Sequence, residues 1–163
     1  MIALLLAAAL LATPTGDLAD ETWEDESPLS ELPVALQEAI GRFYAAIESD
    51  DVEARVELLD EDIIMMPNHW TMSRGKETVA EMFRGTEGTV FRLKDREVVD
   101  AGVDGDLAYT VNSYYYTWHH EGEEPQWHKT KNVHHWRKQE DGRWLQSLDI
   151  WNSDVPMAQF SEE

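Results

Sequence analysis

Asp149 is a carboxylate in the middle of an apolar and aromatic run, Trp144-Leu145-Gln146-Ser147-Leu148-Asp149-Ile150-Trp151. A charge in such a run must be paired, be neutralised by protonation, or face a wet cavity. Poor solvation favours the neutral acid and raises its pKa, whereas a neighbouring imidazole keeps the acid ionised and is held by it in one tautomer. Either state suits general acid–base chemistry near neutral pH. A histidine is in reach. With Asp141-Gly142 as the two central residues of a type I′ turn, His134 falls opposite Asp149, Trp136 opposite Ser147 and Asn132 opposite Trp151. Alternation puts these six on one face, unless a one-residue bulge shifts the pairing. The competing reading makes Asp149 a buried structural acceptor for backbone or Trp N–H groups.

The preceding strand, Leu107 to His119, offers Asn112, Tyr114, Tyr116 and Trp118 on one face and Tyr109, Val111, Ser113 and Tyr115 on the other. The first set is the better pocket candidate, polar at depth and aromatic toward the mouth, with phenols able to donate to a ligand oxygen. Aromatic residues on strands are also ordinary core and interface material. Tyr44 on the first helix and His69-Trp70 in a loop are placed to close the pocket from the helical side; Trp70 is equally a lid packed on the core.

These residues need elements to hold them. Ser30 caps a helix with Pro33 in its first turn, and Leu36, Ile40, Phe43, Tyr44 and Ile47 recur along it as one apolar stripe. Asp50 or Asp51 starts a second helix with Val52, Val56 and Leu59 on its buried face. Ile63 to Met66 is a short strand ended by Pro67. Gly75 precedes a third helix packed through Val79, Met82 and Phe83. After Gly85 the period becomes alternating. Strands are expected at Val90–Ala101, Leu107–His119, Trp127–Lys138 and Arg143–Asn152, with turns at Asp104-Gly105 and Asp141-Gly142. Helices followed by a four-strand antiparallel meander make an α+β domain.

Composition narrows the function classes. The 163 residues suit one domain, with 33 acidic against 13 basic residues and a net charge of −20. Without a basic cluster the chain is no nucleic-acid binder and no partner for an anionic membrane. With no cysteine, thiol nucleophiles, disulfides and thiolate metal sites are excluded. The six histidines show no three-ligand spacing: His128 and His134 share a face but lie about 20 Å apart along a strand, and adjacent His119-His120 and His134-His135 split across the sheet. No metal and no cofactor is expected. Phosphate-loop and Gly-x-Ser-x-Gly motifs are absent. Residues 1–16 read as a secretory signal, an apolar run too short to span a bilayer, which makes the chain an exported protein free of the membrane after processing. Residues 17–31 read as an acidic linker, 32–156 as the folded domain and 157–163 as a tail.

Several stretches together resemble a known family: Phe43-Tyr44-Ala45-Ala46-Ile47 followed by Asp50-Asp51, Asp62-Ile63-Ile64-Met65-Met66-Pro67, Gly75-Lys76, Gly105-Asp106-Leu107-Ala108-Tyr109, and Asp141-Gly142-Arg143-Trp144 running into Asp149-Ile150-Trp151. The set is similar to the SnoaL-like, ketosteroid-isomerase-like branch of the nuclear-transport-factor-2-like superfamily. The resemblance implies a cystatin-like cone, with three N-terminal helices packed on a curved, mostly antiparallel sheet round a deep pocket, often in a homodimer. It also implies that Asp149 points inward, as a last-strand carboxylate does in limonene epoxide hydrolase. The functional expectation is a pocket for a small apolar or aromatic ligand, lined by Tyr44, His69, Trp70, Asn112, Tyr114, Tyr116, Asn132, Trp136 and Trp151, with Asp149 and His134 as a catalytic acid–base pair for isomerisation, cyclisation or dehydration. The alternative is an exported ligand-binding or interaction protein of the same fold. Fold alone does not fix the reaction.

Overall fold

The structure, a computed structural model, describes residues 27–86 and 88–154. The signal-like run, most of the acidic stretch and the C-terminal tail lie outside the described residues.

The folded chain begins earlier than the sequence suggests. Pro28–Glu31 form a 3-10 turn that packs against the sheet, with Leu29 buried, so the end of the expected linker belongs to the domain. Ser30 does not cap the first helix. It sits inside that turn and donates to the Ser27 carbonyl, because the chain stays extended at Leu32 and Pro33 before α1 (Val34–Glu48) starts. The apolar stripe of α1 is the expected one, with Leu36, Ile40, Phe43, Tyr44 and Ile47 all buried. Asp50 then adopts a left-handed conformation that reverses the chain, and Asp51 caps α2 (Val52–Glu57) by accepting from the Ala54 amide.

Leu59 is not helical. It opens β1 (Leu59–Met66), four residues ahead of the expected strand, because Leu59, Ile63 and Met65 bury against α3 (Lys76–Arg84) while the chain runs beside the last strand. A two-residue β2 (Ser73–Arg74) pairs with β1. The long strands are β3 (Thr89–Asp104), β4 (Leu107–His120), β5 (His128–Lys138) and β6 (Trp144–Ser153). The sheet therefore has six strands, the expected meander and β1 joined by the short β2, in the order β2-β1-β6-β5-β4-β3, antiparallel except where β1 runs parallel to β6. Register shifts in β3, in β1 against β6, and between β5 and β6 bend it, as bulges do. The helices lie on the concave side. One core cluster joins α1 to Trp136 and Trp144; the other joins α3 to β1.

The β5–β6 hairpin corrects one pairing and keeps another. The turn has three residues, not two. The Gln139 amide donates to the Arg143 carbonyl, the Gly142 amide donates back to Gln139, and Gly142 is left-handed at φ 87°. Trp136 thus pairs with Gln146 rather than Ser147. A bulge between His135 and Trp136 then restores the register, and beyond it His134 lies opposite Asp149 and Asn132 opposite Trp151.

Candidate active site

A cavity of about 770 Å³ opens on the concave side of the sheet, within the size range of small-molecule sites. Its walls draw on both core clusters: Phe43, Tyr44 and Ile47 from α1, and Val52, Met82 and Phe83 from α2 and α3. The sheet supplies Phe91, Tyr114, Tyr116, Asn132, His134, Asp149 and Trp151.

At its polar end the His134 Nε2 lies 3.3 Å from Asp149 Oδ1 and 2.6 Å from Asn132 Nδ2. The same Asn132 amide donates to the Tyr114 hydroxyl at 3.1 Å. The result is a continuous polar row from β6 through β5 to β4, made possible because Asp149, His134 and Asn132 share one face. His134 is 1% exposed and Asp149 5% exposed. The imidazole is held edge-on by Phe43 and Trp136, with ring centroids at 5.1 and 6.1 Å. A protonated Nε2 can donate to Asp149; an unprotonated one can accept from Asn132. Several buried polar atoms beside it have no hydrogen-bond partner: Asn132 Oδ1, His134 Nδ1, both amide atoms of Gln146, and Asp149 Oδ1.

Two phenols face the same region. Burial pushes the Tyr44 hydroxyl up from its ordinary range, against the pull of the nearby Arg96 guanidinium and with the help of the Asp149 charge. Burial pushes Tyr114 well up too, again reinforced by Asp149. Both remain neutral O–H donors at any ordinary pH. Arg96 stacks over the Tyr44 ring at 4.2 Å.

The structure brings together Asp149, His134, Asn132, Tyr44, Tyr114, Tyr116, His69, Trp70 and Trp151 around one cavity. His69 and Trp70 sit at its rim, Trp70 68% exposed and so not packed on the core. Two expected lining residues do not reach it. Trp136 is fully buried beneath His134 among the α1 side chains, and Asn112 lies deeper on β4, bonded to the Thr110 hydroxyl. Sequence reading passed over Arg55. Its guanidinium lies 3.8 Å from the Phe83 ring centre and on the cavity wall. A signal existed: Val52, Arg55, Val56 and Leu59 fall at helical spacing, so a cation interrupts an apolar stripe. Among the described residues no cluster of His, Asp and Glu has the geometry to hold a metal ion.

A family model for a SnoaL-like domain matches residues 40–147. Among solved structures, the fold is similar to a ketosteroid isomerase-like protein from Erwinia carotovora atroseptica, with a TM-score of 0.67 and 17% identity over 75% of this chain and 95% of that one. It is also similar to an NTF2-like protein with a cystatin-like fold from Novosphingobium aromaticivorans, with a TM-score of 0.59 and 20% identity over 76% and 82% of the two chains. An NTF2-like protein of unknown function from Pseudomonas putida gives a TM-score of 0.59 and 18% identity over 78% and 89%. At such identities the likeness is one of fold. No curated protein matches the sequence.

Proposed function

The chain belongs to the SnoaL-like domain family, and on that footing we propose that it is an acid–base enzyme that works with its own side chains on a small, largely apolar substrate. The observation that carries this reading is the position of Asp149: a carboxylate on the wall of an apolar cavity, in contact with a buried imidazole, with one oxygen that no protein donor occupies. The proposed step is proton transfer at a carbon next to a carbonyl. Asp149 takes the proton, the C–H electron pair moves onto the carbonyl oxygen, and the Tyr114 hydroxyl donates to that oxygen as its charge grows. His134 holds the carboxylate in position and shares its proton. Return of the proton to a different carbon completes an isomerisation; loss of a neighbouring hydroxyl as water completes a dehydration.

The test uses 5-nitrobenzisoxazole, a ring that opens when a base removes its one acidic C–H proton and the N–O bond breaks. The wild type should accelerate ring opening above an equal concentration of acetate. Asp149→Asn should lose about 100-fold or more of that rate, while binding of 2-acetylnaphthalene stays within about 3-fold of wild type. A rate unchanged in Asp149→Asn would overturn the assignment. Binding of 2-acetylnaphthalene with no acceleration by the wild type would instead favour a ligand-binding protein of the same fold.

A further inference from the structure

The second charge on the inner cavity wall belongs to Arg55, and its surroundings differ from those of the rim arginines Arg84 and Arg92. At the rim, Arg84 pairs with Glu53 at 2.8 Å and with Glu77 at 3.2 Å, and Arg92 pairs with Asp50 at 2.8 Å, so both of these arginines are taken up by carboxylates. Arg55 makes no ion pair and no hydrogen bond among the described residues, and its Nε is sealed from solvent without a partner. This is unusual in a chain with 33 carboxylates and a net charge of −20. What holds the guanidinium is aromatic: its flat face lies over Phe83 at 3.8 Å, with Phe43 at 5.9 Å. Stacking occupies the face and leaves the in-plane N–H groups, the fork that fits a carboxylate with two parallel bonds. Asp149 is beyond ion-pair distance, so it acts on Arg55 through space only and leaves that fork open.

We propose that the ligand of this cavity is a monoanion, a carboxylate carried on an apolar or aromatic body, and that Arg55 receives the carboxylate. The inference rests on the reading that the cavity holds a small molecule, and it adds the ligand's charge and the residue that reads it. Phe91 and Tyr116, stacked at 5.9 Å, give the body a flat aromatic wall. The other charge on the inner wall, Asp149, repels an anion, which confines the ligand's carboxylate to the Arg55 end and turns the uncharged body toward the acid–base pair. The rim carboxylates Asp50 and Glu53 are each engaged by an arginine, which reduces their opposition to an entering anion.

A matched pair of probes tests this by calorimetry: 2-naphthoate, and its uncharged methyl-ketone counterpart 2-acetylnaphthalene. The wild type should bind naphthoate at least about 10-fold more tightly, the range of one charge-assisted contact. Added chloride should weaken naphthoate and not the ketone. In Arg55→Met, which preserves contact with Phe83, the preference should vanish while the ketone's affinity changes by less than about 3-fold; Arg55→Gln serves if the Met variant does not fold. Equal affinity for both probes in the wild type, or a naphthoate preference that survives loss of Arg55, would overturn the assignment of Arg55 while leaving the pocket intact. Binding of neither probe would overturn the pocket itself and this inference with it.

Discussion

If Tyr44 and Tyr114 are water-excluded donors, alkali must find them. Both phenols are pushed above the ordinary tyrosine value of 10.0 chiefly by burial. Above pH 10 the unfolded chain releases these two protons and the folded chain keeps them. Stability is therefore intact below pH 10 and falls as the pH rises past it. Each retained proton costs the folded state on the order of 1 kcal/mol at pH 11. Arg55 acts in the opposite sense. Burial lowers it, so the folded chain gives up that proton before the unfolded chain does, which offsets part of that loss.

The wild type should thus lose stability between pH 9 and pH 11, Tyr114→Phe roughly 1 kcal/mol less of it, and Arg55→Met roughly 1 kcal/mol more. The exposed Tyr109 and half-buried Tyr116 are also shifted upward and add to the loss in all three proteins, so the comparison between variants is what is read. The assay is urea unfolding followed by tryptophan fluorescence at several pH values, with ultraviolet absorbance of the folded protein to count tyrosinates. Two tyrosines should stay silent until the protein unfolds. Identical pH dependence in wild type and Tyr114→Phe, or full tyrosinate absorbance near pH 10 in folded protein, would refute the picture of dry, protonated donors at this site.

Two further variants probe the frame rather than the chemistry. Trp136→Ala removes a fully buried indole from between α1 and His134, and urea unfolding should show a loss of about 3–5 kcal/mol. Asp51→Ala deletes the side-chain acceptor for the Ala54 amide at the start of α2, the helix that carries Arg55; the same measurement should show about 1 kcal/mol lost.

Period was the strongest sequence signal. The α1 stripe and the alternating strands are long enough to declare themselves, and the helices-then-meander order follows from them. The facing of His134 and Asp149 was legible for a less secure reason. The turn is one residue longer than a two-residue hairpin, and the bulge near Trp136 adds one residue on β6, so two departures cancel beyond the bulge and leave only the Trp136 partner changed. Other features were not legible because partners distant in sequence create them. β1 begins at Leu59 only because β6 offers a parallel edge. Trp136 leaves the pocket because α1 covers it. Arg55 broke an apolar stripe in plain view, but helical spacing says that a side chain faces inward and not whether it meets a wall or a cavity.

Among the described residues two aspartates are buried, Asp60 and Asp149, and they differ in how far their oxygens are satisfied. Asp60 on β1 is 4% exposed, and its carboxylate is saturated: it accepts from the Asp62 amide, from Arg137 and from the Gln139 side chain. A carboxylate so enclosed fixes β1 to the hairpin and has no lone pair to offer. Asp149 is equally buried, yet its Oδ1 has no hydrogen-bond donor within the protein and only the imidazole at 3.3 Å. Its neighbours Asn132, His134 and Gln146 share that deficit. Leaving polar atoms buried and unsatisfied costs stability, about 1–3 kcal/mol for each, and a chain able to saturate Asp60 shows that the fold can satisfy a buried carboxylate where nothing else is required of it. Asn132, His134 and Asp149 all line the cavity, so part of the deficit falls at its polar end, where the fold leaves a carboxylate without the donors it gives Asp60.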